Sequence, residues 1–109
     1  MIDLAAFRLK LLARRDELET LSNESKDTRK PVELDQQSVG RLSRQDALQQ
    51  QAMANAQEAR RINEQRKIDA ALTRLDEGEY GYCAECGEPI AEKRLLIDLT
   101  ASFCAGCAR

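Results

Sequence analysis

All four cysteines stand in the last 27 residues, as Cys83-Ala84-Glu85-Cys86 and, 17 residues further on, Cys104-Ala105-Gly106-Cys107. Thiolates are soft ligands, and a tetrahedral zinc ion takes four of them at about 2.3 Å. A two-residue spacer bends the chain so that both sulfurs of a pair reach one ion. A gap of about 15–20 residues leaves room for a small hairpin that returns the second pair. Gly87 and Gly106 are expected to provide positive-φ turns that aim backbone N–H groups at sulfur.

Other chemistry for these thiols is weighed against zinc. No apolar leader precedes them, and two disulfides are disfavoured in a reducing compartment. A lone Cys-x-x-Cys reads as a redox pair, whereas two at this spacing read as a metal site. An iron–sulfur cluster shares the ligand set. With no histidine in the chain and four cysteines filling the tetrahedron, no position is left for water. A closed site of this kind stabilises a fold and does no catalysis.

Composition indicates what carries the site. Charged residues make up 33% of the chain and aromatic residues 4%, with no Trp and only two prolines. That is too polar for a compact globule of 109 residues and suits a long helical or coiled-coil protein. A net charge of −2 disfavours a nucleic-acid reader held by bulk electrostatics. No apolar run reaches the ~20 residues that span a bilayer, so a cytoplasmic location of bacterial type and no membrane contact are expected. No catalytic constellation stands out: there is no His, no phosphate-cradling glycine loop and no nucleophile with a partner base.

Two helices are expected, forming a hairpin over 1–77 ahead of a metal module at 78–109. In the first, over 2–27, Leu4, Phe7, Leu11, Leu18 and Leu21 recur at 3-4 spacing with Arg14 in the one polar slot, the narrow seam that pairs with a single partner helix. Breakers cluster from Ser22 to Leu42, so a connection is placed at 28–42. The second helix, over 43–77, is expected to start at Ser43 as N-cap with Asp46 reaching back. No Pro or Gly interrupts it before Gly78, which gives a length of about 50 Å. Its inner stripe is read as Leu48, Ala52, Asn55 or Ala56, Ala59 and Ile62, then Ile68, Leu72 and Leu75. In the metal module, Pro89-Ile90 and Leu95-Leu96-Ile97 read as short strands about a charged turn at 92–94. Ile90, Leu95, Ile97, Leu99 and Phe103 are its candidate core.

The run Gly78-Glu79-Tyr80-Gly81-Tyr82-Cys83-Ala84-Glu85-Cys86-Gly87-Glu88-Pro89-Ile90, then Arg94-Leu95, then Thr100-Ala101-Ser102-Phe103-Cys104-Ala105-Gly106-Cys107 resembles the DksA/TraR zinc-finger family. The resemblance covers the finger most specifically, and the hairpin ahead of it is of the right kind. It implies a mainly α fold, a long antiparallel helical hairpin (coiled coil) with a small C-terminal four-cysteine zinc finger. It also implies one structural Zn²⁺ on Cys83, Cys86, Cys104 and Cys107, and a monomer that is not an enzyme. The implied role is regulation of transcription by binding bacterial RNA polymerase through its secondary channel, without binding DNA. The coiled-coil tip would be directed at the active site.

The family's acidic tip motif, DxxDxA, is not reproduced. The comparable turn holds Arg41, Ser43, Arg44, Asp46 and Ala47, which become the candidate polymerase-facing residues, although Asp46 serves equally as a helix cap. Arg60, Lys67 and Arg94 fall at basic positions of the family and are the candidate contacts for the alarmone ppGpp. Asp98 and Ala108 stand where further basic residues are expected, and only two residues follow Cys107, where the family carries another helix. A solvated helix face is the plainer reading of the basic residues. The alternative function is a zinc-stabilised coiled-coil interaction module with another partner or self-association, and a third reading is a redox or zinc sensor using the cysteines.

Overall fold

The computed structural model describes residues 2–29 and 41–107, without the side chains of residues 41–43. Helix α1 runs Leu4–Glu24, α2 Lys26–Arg29, α3 Arg41–Asp76 and α4 Glu92–Ile97. Helices α1 and α3 lie antiparallel and make a rod on a small metal module, with overall dimensions of 64 × 27 × 20 Å. Among the described residues no helix is long and apolar enough to cross a membrane.

Asp3 caps α1, its Oδ1 accepting the Ala6 N–H at 3.2 Å. The expected seam is present at the base, where Phe7, Leu11 and Leu18 are buried against Ile68, Ala71 and Leu75. Arg14 occupies the polar slot and forks onto Glu64, with Nε to Oε2 at 2.6 Å and an Nη to Oε1 at 3.1 Å. Arg15–Asp69 and Arg8–Asp76 pairs, both exposed, flank the seam in the antiparallel register. Leu4 and Leu21, at the ends of the stripe, are exposed.

The first helix does not continue unbroken to residue 27. It stops at Glu24, turns at Ser25, and resumes as the one-turn α2. The connection expected at 28–42 lies mostly outside the described residues. Arg41 and Leu42 are already helical, so Ser43 lies within the first turn of α3 and is not its N-cap. The inner stripe of α3 also differs in its first half. Leu48 and Ile62 are 45% and 41% exposed, and Ala52, Asn55, Ala56 and Ala59 are exposed with them. The buried line is instead Ala54, Glu58, Ile68, Ala71 and Leu75. Hydrophobic periodicity pointed to the wrong face because the true seam there is polar, with Ser22, Ser25 and Arg29 facing Glu58 and Arg61.

One core runs without a break from the hairpin base into the metal module, joining Leu18, Leu11, Phe7 and Leu75 to Tyr80, Cys83, Ile90, Leu95 and Ala101. The expected strand at 95–97 is absent: Glu92–Ile97 is helix α4, and the only extended pairing among the described residues is the Tyr82–Pro89 bridge. Leu95 faces inward and is fully buried, while Ile97 is 88% exposed and Phe103 42% exposed. A single helical turn has one inward face, which Leu95 takes.

Candidate metal centre

The end of α3 aims the chain at the site. Gly78, at φ +76, lets the helix close with the Gly78 N–H donating to the Leu75 carbonyl and the Glu79 N–H to that of Arg74 at 2.8 Å. This paired closure is the left-handed stop expected of glycine one residue past a helix cap, here Glu77. The Arg74 guanidinium then donates to the Glu79 and Tyr82 carbonyls, tying the last turn of the rod to the entry of the first knuckle. Gly81 is favoured by its backbone conformation, and a side chain there would also push Ile2 aside. Its φ is +89, and a Cβ there would lie 2.6 Å from Ile2 Cδ1. Tyr80 packs against Phe7 with ring centroids 5.8 Å apart and the rings tilted by 49°, and its hydroxyl donates to the Leu99 carbonyl at 2.7 Å. Burial first, and then the Asp98 charge, push its pKa up to about 12.

The first knuckle is a tight turn in which the Gly87 N–H donates to the Cys83 carbonyl at 2.9 Å. It rides on the Tyr82–Pro89 bridge, where Cys83 N–H meets the Glu88 carbonyl at 2.8 Å and Ile90 N–H that of Gly81 at 2.7 Å. The Ala84 N–H reaches the Ser102 carbonyl at 2.7 Å and binds the two halves of the module together. Gly87 takes positive φ as expected, and Gly106 does not. The second knuckle closes in an ordinary turn, with Cys107 N–H on the Cys104 carbonyl at 3.0 Å.

These turns gather the four cysteines. All four Sγ atoms lie within 4.8 Å of one another, and Cys86 and Cys104 are 3.6 Å apart. Four sulfurs at about 2.3 Å from one zinc ion stand about 3.8 Å apart in a tetrahedron, so the set fits the metal. Cys83 is buried, Cys104 and Cys107 are half-buried and Cys86 is exposed. Backbone N–H groups of Cys86 and Cys104 turned towards Cys83 draw its thiol down to about 6. Cys107 is pushed up by the neighbouring thiols of Cys104, Cys83 and Cys86. Four sulfurs this close cannot all ionise unless a cation lies between them, and a divalent ion removes that conflict. Bound there, zinc would supply cross-linking and no chemistry, because the four ligands complete its coordination.

The remaining candidate residues separate into groups. Arg44 and Ala47 are half-buried and Asp46 is exposed in the first turns of α3, about 40 residues along the chain from the first knuckle; the side chains of Arg41 and Ser43 lie outside the described residues. Arg60 and Lys67 line one groove of about 480 Å³ between α3 and the module, together with Glu64, Leu96, Asp98 and Thr100. Arg94 is not part of it and donates from Nε to the Phe103 carbonyl at 3.0 Å. Asp98 fastens the following turn through the Thr100 N–H and hydroxyl. Sequence reasoning missed Ile2, Arg74 and Tyr80 as positioning residues. The Tyr80-Gly81 pair beside the first cysteine was their one visible signal.

Comparison with known proteins places the molecule. Residues 78–109 match the prokaryotic dksA/traR C4-type zinc finger. The chain is 36% identical over 106 residues to the RNA polymerase-binding transcription factor DksA of Caulobacter vibrioides, covering 89% of this chain and 67% of that protein. It is 45% identical over 42 residues to the protein of the same name from Haemophilus influenzae, covering 38% of this chain and 29% of that protein. The solved structure of transcription factor DksA2 from Pseudomonas aeruginosa superposes with a TM-score of 0.75 at 33% identity, over 94% of this chain and 78% of that one. The cofactor is therefore one structural zinc ion in a four-cysteine finger. By the extent of the Caulobacter match and the shared fold, the chain belongs to the DksA/TraR zinc-finger family.

Proposed function

We propose that this protein regulates transcription in the bacterial cytoplasm by binding RNA polymerase, entering the secondary channel with its helical hairpin and making no contact with DNA. The observation that carries the reading is a match to an RNA polymerase-binding transcription factor that extends over both the hairpin and the finger. The shape agrees with it, since a rod of 64 × 27 × 20 Å can reach into a deep, narrow opening while its zinc end stays at the rim. The working end is the first turns of α3. Asp46 presents an exposed carboxylate there beside the half-buried Arg44 and Ala47, and Arg41 and Ser43 complete the proposed set by their place in the chain. Basic residues at 41 and 44 would favour an acidic polymerase element over a magnesium ion.

The groove holding Arg60 and Lys67 is the proposed place for a phosphorylated effector such as ppGpp. Arg94, turned to the Phe103 carbonyl, would have to swing round to join it. Asp98 on the facing wall weakens the attraction of an anion to this groove.

Binding of the zinc-loaded protein to bacterial core RNA polymerase tests the function, followed by promoter transcription with Asp46→Ala and Arg44→Ala. Micromolar or tighter binding is expected, with tip variants that bind normally and no longer alter transcription. A folded, zinc-loaded chain that does not bind would overturn the proposal and favour a coiled-coil module with another partner.

A further inference from the structure

The far half of the hairpin is fastened by chemistry unlike that of its base. Between Arg44 and Arg61 on α3, the one buried apolar residue among those described is Ala54. In its place stands a polar node around Glu58, a carboxylate only 8% exposed. Ser22 Oγ donates to its Oε1 at 2.6 Å. Arg29 Nε and an Arg61 Nη approach its Oε2 at 2.9 and 3.4 Å. The node sits where the partner helix is broken. Ser25 ends α1, and the Arg29 guanidinium reaches back from α2 to the Ser25 hydroxyl and the Ser22 carbonyl at 2.9 and 2.8 Å. The same Ser25 hydroxyl accepts from Arg61 at 3.0 Å. One donor is left over, since Arg61 Nε is buried without a partner.

Such a seam differs in kind from packed leucines. Each hydrogen bond exchanges with water at small net gain, so the tip side holds far less opening free energy than the base. The node also has a single keystone. Glu58 lies between two guanidinium groups, and without its charge Arg29 and Arg61 face each other unscreened in a half-buried site.

We infer that the Ser25–Glu58 node is a hinge, at which the tip side of the hairpin opens and bends as a unit while the Phe7–Leu75 base stays packed. The hinge follows from the contacts alone. That the moving half carries the polymerase-facing residues rests on the proposed function.

Hydrogen exchange on the zinc-loaded full chain tests the hinge with no polymerase present, so failure of either proposal leaves the other standing. Glu58→Gln is expected to speed exchange of amides in residues 44–57 at least about tenfold and to change those in 68–76 less than about twofold. Leu18→Ala, in the base, should speed both. Adding Arg29→Gln to Glu58→Gln removes one of the opposed cations and should restore part of the protection. Equal acceleration of the two segments, no change in 44–57, or a further loss on adding Arg29→Gln would each overturn the hinge.

Discussion

Cys83 belongs at once to the metal site and to the hydrophobic core, since its buried side chain touches the cluster that continues through Tyr80 to Phe7. Cys83→Ser should therefore abolish stoichiometric zinc binding and also loosen the hairpin base. The loss is a large part of the ~10–16 kcal/mol of apparent binding energy of a structural zinc. Metal analysis together with near-ultraviolet circular dichroism of Tyr80 would show it, and a variant that stays folded without zinc would refute a structural site. Gly81→Ala is expected to destabilise by about 1–3 kcal/mol in urea titration, through its positive φ and its clash with Ile2. Trimming Ile2 as well should recover only part of this, because the backbone strain remains. At this scale the sequence was highly legible where covalent spacing dictates geometry, as in the cysteines. It was poorly legible for Ile2 and Arg74, whose roles depend on elements distant in the chain.

Among the helices, what could be read followed hydrophobicity. Phe7, Leu11 and Leu18 were evident because apolar residues sit at seam spacing, and Arg14 was evident as the exception among them. The stripe from Leu48 to Ile62 misled because the seam it was taken for is built from Ser, Arg and Glu, which leave no apolar signature. Helix α4 was missed because a six-residue turn carries too few apolar positions to separate a period of 3.6 from one of 2. Two substitutions measured by chemical denaturation separate the faces: Leu18→Ala should cost about 2–5 kcal/mol, and Ile62→Ser less than about 1 kcal/mol. The polar seam also has an acid limit. The Ser22 hydrogen bond, then the Arg29 and Arg61 charges, hold the Glu58 carboxyl below its ordinary value of 4.5 against the opposing effect of burial. Its contribution is present above that value and is lost as pH falls through the lower folded one. Glu58→Gln should flatten the acid limb of the stability profile relative to the wild type.

For the whole molecule, the continuous core makes metal and rod interdependent. Chelation of zinc at neutral pH should release helix from the hairpin base as well as unfolding the finger, seen as a far-ultraviolet loss larger than the six residues of α4 can explain. Restoring zinc should reverse it. An elongated architecture was legible from the absence of breakers between residues 43 and 77 and from the charged, aromatic-poor composition, whereas the joint between rod and finger was not. That joint is the Arg74 guanidinium spanning the Glu79 and Tyr82 carbonyls at the point where α3 stops. Mechanically it is the fulcrum of a lever with one arm far longer than the other. A tilt of about 5° at this point displaces the opposite end of a ~50 Å helix by about 4 Å, more than a hydrogen bond can follow. Whatever grips the zinc end therefore sets the aim of the distant one for as long as the Ser25–Glu58 node stays shut.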